Sequence, residues 1–199
     1  MICVKSFPAP EIDRREILRY AGVKESTPEI EALLNECISE SVDKIFYKAC
    51  YREYPICRCG EEIDLGFTKT NSSSLIKLLD GCDKVIVFCA TIGADIDRLI
   101  KKHSLLSPSR SVMLGAIGTE RVEALCDMLC DEIAESVAEN NFVCTRRFSP
   151  GYGDLPLYMQ RDIFLSLDCT RKIGVNLGEN LFMTPTKSVT AVFGIKNAK

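Results

Sequence analysis

Residues 107–141 predict one long helix: SPSRSVMLGAIGTERVEALCDMLCDEIAESVAENN. Ser107 and Pro108 mark its start, because proline is favoured at the first helical position, and Asn140 with Asn141 marks its end. Apolar residues recur at helical spacing along a main stripe and along a second face. They are Met113, Ile117, Ala124, Leu125, Met128 and Leu129 on the stripe, and Val112, Ala116, Cys130 and Ala134 on the second face. We predict a helix over residues 109–139 that is buried on most of its sides.

The remaining predicted elements are strands and helices in mixed order. The two most apolar strands are predicted over residues 84–90 and 188–195. The others are helices at 28–48, 72–79, 95–102 and 159–167, two short strands within 56–68, and a strand at 142–147. Since strands and helices do not alternate regularly and no linker separates them, we expect one α+β domain over residues 1–199. It is predicted to be built around the long helix and an antiparallel sheet that contains the two apolar strands.

Charge and hydropathy exclude several classes of protein. The 25 Lys and Arg and 28 Asp and Glu residues give a net charge of −3, and the basic residues are scattered, so no nucleic-acid partner is expected. The longest apolar stretch, residues 85–94, has about half the length of a membrane-spanning helix. The N-terminal segment has no apolar run of the kind found in secretion signals. We expect a soluble, cytoplasmic protein without a membrane partner.

Eleven cysteines are many for such a chain. In a reducing compartment they are expected to be free thiols, and several stand where a small apolar side chain belongs, such as Cys89. Cys57 and Cys59 lack the two-residue gap of a metal knuckle, and Cys126 and Cys130 lie one helical turn apart. A structural metal site needs about four ligands in a recognisable spacing. Packing is therefore the predicted role of the thiols, and a metal or thiol protein is kept as an alternative.

The chain has a single histidine, His103, which follows Lys101 and Lys102 and is predicted to be a solvated helix end. One histidine excludes a histidine-rich metal site. The sequence also has no Asp-x-His-x-x-Gly motif of the kind that supplies the lower ligand of a corrinoid. We do not expect this chain to hold a corrinoid through a histidine.

The loop after the strand at 142–147 combines an arginine with prolines and glycines, in the order Arg147-Phe148-Ser149-Pro150-Gly151-Tyr152-Gly153-Asp154. Arginine binds a carboxylate through two parallel hydrogen bonds, while glycine lets the backbone approach a ligand closely. Such a loop suits a small zwitterion with an amino-acid end and a flat ring. A tight connection between a strand and a helix explains the same residues, and both interpretations stay open.

Glu123 is the second candidate residue. It falls on the second apolar face of the long helix, flanked at helical spacing by Ala116 and Cys130. A carboxylate there costs free energy to desolvate unless it meets a cation or a donor. The ammonium or sulfonium of a ligand satisfies this need, and so does Arg147 or a nearby lysine. The neighbouring Arg121 does not help to decide between these interpretations of Glu123, because charged residues flank most helices.

Two spaced motifs carry a family resemblance. Arg147-Phe148-Ser149-Pro150-Gly151-Tyr152 is similar to the Arg-x-Ala/Ser-Pro-Gly-Tyr signature of the activation domain of vitamin B12-dependent methionine synthase. The segment 183–190, MTPTKSVT, is similar to that family's Met-x-Pro-x-x-Ser-Val-Ser segment, and residues 173–180 between them also fit. The likeness is strongest over residues 143–195 and weaker from residue 84 through the long helix.

The resemblance implies a fold, ligands and partners. The implied fold is a single curved α+β domain with an antiparallel sheet. The resemblance also implies that the domain binds S-adenosylmethionine and caps the cobalamin of a neighbouring domain. An inactive cobalt is reduced there, with a flavodoxin-like protein as a possible electron donor, and is then methylated by S-adenosylmethionine. By position, Arg147 holds the methionine carboxylate, Glu123 lies by the amino-acid end, and the backbone of Ser149 and Gly151 meets the adenine. Tyr152 faces the corrin.

The resemblance leaves two functions open. The first is an accessory module that reactivates a methionine synthase whose corrinoid domain is on a separate chain. The second is a non-catalytic interaction subunit of a corrinoid methyltransferase that no longer binds S-adenosylmethionine. The second rests on a departure from the family, since Gly22 stands near the position of the family's N-terminal aspartate. Whether the chain is itself an enzyme is not decided by these residues.

Overall fold

The computed structural model describes residues 1–198, apart from the side chain of Cys59. The helices are α1 Arg14–Tyr20, α2 Pro28–Ser41, α3 Ser73–Leu78, α4 Asp95–His103, α5 Pro108–Ala138, α6 Gln160–Leu167 and α7 Cys169–Ile173. The strands are β1 Cys3–Phe7, β2 Tyr47–Pro55, β3 Cys57–Cys59, β4 Glu62–Asp64, β5 Lys69–Thr70, β6 Lys84–Thr91, β7 Phe142–Cys144, β8 Asn176–Leu177, β9 Met183–Thr184 and β10 Ser188–Asn197. Within the described residues, no helix is long and apolar enough to cross a membrane.

The main sheet has five strands in the order β1-β2-β6-β10-β7, and every neighbouring pair is antiparallel. The two apolar strands lie at its centre, where Ser188 pairs with Thr91 and Ile195 pairs with Lys84. Small antiparallel sheets are formed by β3-β4-β5 and by β8-β9. The predicted α+β class, with a long helix on a curved antiparallel sheet, is confirmed.

Both faces of the main sheet are buried, which explains the uninterrupted apolar run of β6. Successive side chains of a strand point to opposite faces. Ile86 and Phe88 pack beneath α5, together with Phe193 of β10. Val85 and Val87 face the other way, into a second core covered by residues of α3, α6 and α7. The sheet is therefore a central layer between two sets of helices.

The long helix begins at Pro108 as predicted, and its middle is buried on most of its sides, since residues 113–126 include no exposed side chain. The main stripe, including Ile117 and Leu125, packs on the sheet. Val112 on the predicted second face is 57% exposed, and Asp127 and Asp131 face solvent. Ala116 of the same face belongs to the core, so the helix is buried all round over residues 113–126 and meets solvent before and after that stretch.

Two other predictions are corrected by long-range contacts. The helix predicted over 28–48 ends at Ser41, because residues 48–55 pair with β6 as part of strand β2. His103 is not a solvated helix end, since its side chain is only 12% exposed and its Nε2 atom lies 3.1 Å from Glu40 Oε1. The contacts with His103 and Lys102 lower the pKa of Glu40 to about 2.

Arg121 belongs to a buried ion pair that its sequence context did not indicate. Its guanidinium contacts the carboxylate of Glu120, and the two side chains are 2% and 5% exposed. The guanidinium also donates to the carbonyl of Pro10 at 2.7 Å and to that of Glu11 at 2.5 Å. Glu120 accepts a hydrogen bond from the backbone N–H of Asp13 at 3.1 Å. The pair thus fastens residues 10–13 to the middle of α5.

Removing one partner of this pair is expected to destabilise the fold strongly. Arg121→Ala leaves the Glu120 carboxylate buried without its cation, which costs about 3–5 kcal/mol of unfolding free energy. Urea unfolding followed by circular dichroism measures this loss. The matched control is Arg171→Ala, because Arg171 pairs with Asp168 on the surface and its side chain is 83% exposed. Arg171→Ala should lower the unfolding free energy by less than about 1 kcal/mol. Equal losses of unfolding free energy in the two variants would contradict the assignment of Arg121 to a buried ion pair.

Candidate functional site

A β-bulge displaces two consecutive arginines from the main sheet. The N–H of Thr145 donates to the carbonyl of Gly194, and Phe148 exchanges two hydrogen bonds with Val192. Arg146 and Arg147 therefore both stand opposite one residue of β10, Phe193. Such an extra residue bends the strand and re-aims side chains. The strand predicted over 142–147 ends at Cys144 for this reason, and Arg147 reaches towards α5.

Arg147 is held by two carboxylates of α5. Its Nη2 atom donates to Glu123 Oε2 at 2.6 Å, and its Nη1 atom contacts Asp127 Oδ1. Glu123 and Asp127 lie one helical turn apart, so one guanidinium spans both. Burial opposes the charge on Arg147, but the hydrogen bond to Asp127 and the nearby acids outweigh it and raise its pKa. The pairing of Glu123 with Arg147, one of the two interpretations of that carboxylate, is present in the structure.

The loop after Arg147 is a tight turn with an exposed tip. The N–H of Gly151 donates to the carbonyl of Leu155 at 2.9 Å, and that of Leu155 donates to Tyr152 at 3.0 Å. Gly151 has φ +91°, a left-handed conformation that favours glycine. The turn leaves the Tyr152 side chain 68% exposed at the surface.

Asp154 fastens the end of this loop to the start of α3. Its carboxylate accepts hydrogen bonds from Ser72 Oγ at 2.6 Å, from the N–H of Ser73 at 2.7 Å and from the N–H of Ser74 at 3.1 Å. The bonds from Ser72 and Ser73 lower the pKa of Asp154. A carboxylate is favourable at this position because the first N–H groups of a helix have no partner within the helix.

Four of the five predicted site residues line one cleft of about 310 Å³. Its lining residues are Glu123, Arg146, Arg147, Phe148, Ser149, Tyr152 and Val189. Gly151 is not among them, since it forms the turn behind Tyr152. Sequence reasoning did not single out Arg146, Phe148 or Val189. Phe148 and Val189 stand inside the two family motifs, so the motif spacing was a signal for them.

The cleft combines opposite charges in a small volume. Arg146 and Arg147 lie on one wall and Glu123 on another. A volume of about 310 Å³ is at the lower end of the range for small-molecule sites. This arrangement suits a small ligand that carries both an anionic and a cationic group.

Lys187 adds a further cation near the cleft. Its Nζ atom donates to Thr119 Oγ1 at 2.8 Å, and Thr119 precedes Glu123 by one helical turn. Burial of the ammonium lowers the pKa of Lys187. The ammonium therefore lies on the same face of α5 as Glu123.

The thiols give no support for a metal centre. Ten cysteines are free thiols, and the side chain of the eleventh, Cys59, lies outside the described part of the chain. Among the described residues, no group of three or more His, Cys, Asp or Glu side chains is arranged to hold a metal ion. Cys126 and Cys130 pack behind Arg147, and burial raises the pKa of Cys130 to about 11. A thiol with such a pKa is a poor nucleophile and metal ligand at neutral pH.

Comparison with known proteins agrees with this architecture. A family model described as the activation domain of vitamin B12 dependent methionine synthase matches residues 73–199. The chain is also similar to a solved structure, the crystal structure of the MetH reactivation domain bound to AdoHcy, with 17% sequence identity and a TM-score of 0.67. That alignment covers 98% of this chain and 78% of the other. No curated protein sequence matches the chain.

The structural likeness confirms the fold, and the family match decides the membership. The matched residues make up more than half of the chain and contain α5, the bulge and all five predicted site residues. The chain therefore belongs to the family of vitamin B12-dependent methionine synthase activation domains.

Proposed function

We propose that this protein binds S-adenosylmethionine in the cleft at Arg147 and serves the reductive reactivation of a cobalamin-dependent methionine synthase. The observation that carries the proposal is the convergence of Arg147, Glu123, Ser149 and Tyr152 on one cleft. The similar MetH domain holds AdoHcy, which shares the adenosyl group and the amino-acid end of S-adenosylmethionine.

The charges of the cleft suit the amino-acid end of this ligand. The ligand carboxylate takes a place beside the Arg147 guanidinium, and the ligand ammonium takes a place beside Glu123. Arg147 then exchanges part of its contact with Glu123 for a contact with the ligand, while Asp127 continues to hold its other side. The number of charge-assisted hydrogen bonds is maintained in this exchange.

The backbone of the loop suits the adenine. Within residues 1–198, the N–H of Ser149 makes no hydrogen bond and the carbonyl of Gly151 accepts none from the backbone, whereas the N–H of Gly151 is used by Leu155. Adenine presents donors and acceptors on its edge, so one free donor and one free acceptor match it. In this proposal Ser149 contributes its N–H within the cleft, and the adenine extends past the lining residues to reach the carbonyl oxygen of Gly151.

The corrinoid is supplied by a partner protein. Tyr152 lies at the tip of the loop, and Leu157 and Tyr158 that follow it are also exposed. Exposed apolar side chains beside a ligand cleft are suited to a second protein surface. We propose that this surface meets the cobalamin of a methionine synthase chain, that a flavodoxin-like protein donates the electron, and that residues 1–199 act as one domain in the cytoplasm.

One observation favours the second candidate, an interaction subunit without S-adenosylmethionine binding. Arg147 is already satisfied by Glu123 and Asp127, so the protein itself provides the partners that a ligand would offer. In that case the ion pairs serve only to hold the bulge against α5. Direct binding measurements distinguish the two functions.

Substitution of Arg147 should weaken binding of S-adenosylmethionine. A hydrogen bond to a charged group contributes about 1.5–3 kcal/mol, so Arg147→Ala is expected to raise the Kd roughly ten- to a hundredfold. Glu123→Gln should have a smaller effect, because it keeps a hydrogen-bond acceptor. Isothermal titration calorimetry measures both, with Arg171→Ala as the control for loss of a surface arginine. Unchanged affinity in Arg147→Ala would favour the interaction subunit.

Substitution of Tyr152 should separate binding from reactivation. Tyr152→Ala is expected to reduce the rate of methylcobalamin formation several-fold more than it reduces affinity for S-adenosylmethionine, because its ring faces the partner. The assay mixes this protein with a corrinoid-dependent methionine synthase, a reductant and S-adenosylmethionine, and follows the absorbance of methylcobalamin. The control is Leu105→Ala, which removes another exposed apolar side chain in a part of the sequence distant from Tyr152. Equal rates of methylcobalamin formation with and without the protein would contradict the proposed reactivation function.

A further inference from the structure

A second and larger cleft lies on the other side of the bulge. It has a volume of about 680 Å³ and shares Arg146 and Phe148 with the first cleft. Its remaining walls come from α3, from the end of β7 and from β10. No part of the proposed S-adenosylmethionine site other than Arg146 and Phe148 contributes to it.

Three cations and no carboxylate line this cleft. The cations are Lys77 of α3, Arg146 of the bulge and Lys196 of β10. Within residues 1–198, no carboxylate oxygen lies within 4.0 Å of their side-chain nitrogens. The chain as a whole has more acidic than basic residues. The local excess of positive charge is therefore a property of the cleft and not of the composition.

Two acids near the cleft have partners of their own. Asp80 pairs with Arg58 at 3.7 Å. Asp154 lies at the Ser74 end of the cleft, where the hydroxyls and N–H groups at the start of α3 surround its carboxylate. Neither acid is among the residues that line the cleft. An anion that enters it meets the three cations without displacing a carboxylate.

The floor of the cleft is apolar and is kept open by a glycine. Leu78 and Phe148 supply the apolar surface. A Cβ atom at Gly153 would lie 3.0 Å from Ser74 Oγ and 3.4 Å from the Phe148 ring, and the φ of +55° also favours glycine. Any larger side chain at Gly153 would crowd the space between α3 and the Phe148 ring.

We propose that this cleft binds an organic diphosphate, with the phosphates between Lys77, Arg146 and Lys196 and the organic group on Phe148. Three cations match the charge of a diphosphate, and arginine and lysine both bind phosphate oxygens. A volume of about 680 Å³ lies within the range of small-molecule sites. A concave site with an apolar floor favours such a ligand over the acidic surface of a partner protein, which would need the cations on a flat or convex face.

The test uses uridine diphosphate, inorganic pyrophosphate and uridine as probes, because a pyrimidine is a poor mimic of adenosine. Uridine diphosphate is expected to bind the parent protein more tightly than pyrophosphate does, and uridine is expected not to bind. The double variant Lys77→Gln/Lys196→Gln should weaken binding of uridine diphosphate by about tenfold or more. The matched control, Lys101→Gln/Lys172→Gln, makes the same change in net charge at exposed lysines outside the cleft.

The outcomes are separable from those of the proposed function. Lys77 and Lys196 do not line the first cleft, so the double variant should keep the parent's affinity for S-adenosylmethionine and its melting temperature. The proposal is overturned if neither phosphate probe binds at millimolar concentration, or if the two double variants weaken binding equally. Binding of a polyglutamate peptide without binding of uridine diphosphate would also overturn it, and would assign the cleft to an acidic protein partner.

Discussion

Strand β10 pairs along both of its edges, and this double pairing determines where the functional surfaces lie. One edge is matched to β6 over eight residues without interruption. The other edge is matched to β7 for three residues and then to Phe148 alone. Because residues 145–148 face only residues 192–194 of β10, one residue of this segment is left out of the ladder. The bulge at Arg146 and Arg147 is the result.

The bulge gives Arg147 a position that an unbroken strand would not provide. In a regular strand Arg146 and Arg147 would point to opposite faces of the sheet. Here Arg147 meets two carboxylates of α5, and α5 is itself fixed by its packing on Phe88 and Phe193. The site is therefore built between a rigid helix and a displaced strand segment. Such support from regular elements is what holds a binding residue in a defined geometry.

The central elements could be predicted from the sequence because their patterns are long and repeat. The helix α5 and the strands β6 and β10 were predicted within two residues of their observed bounds. The start of β2 was predicted as helix, since Ile45 and Phe46 continue the helical spacing of α2, and only the pairing with β6 decides otherwise. The N-terminal β1 and α1 were not predicted, because short elements carry little periodic signal.

The sequence predicted which residues form the candidate site, but it did not predict how they are arranged. Motif spacing indicated Arg147, Ser149 and Tyr152, and a helical face indicated Glu123, and all four lie in one cleft. Asp127 was not indicated, although its position one turn after Glu123 was a usable signal. The burial of Arg121 depends on the carbonyls of Pro10 and Glu11, more than a hundred residues away, and no local pattern encodes such a contact.

The two clefts differ in chemistry because different elements face the two sides of one chain segment. On the side of α5, Glu123 and Asp127 balance Arg147, so the first cleft is suited to a ligand with charges of both signs. On the side of α3, the carboxylate of Asp154 is hydrogen-bonded to the start of the helix. Arg146 then joins two lysines without an opposing charge. The two consecutive arginines thus serve two sites, a charge-balanced one that contains Arg147 and a cationic one that contains Arg146, and Arg146 also lines the first.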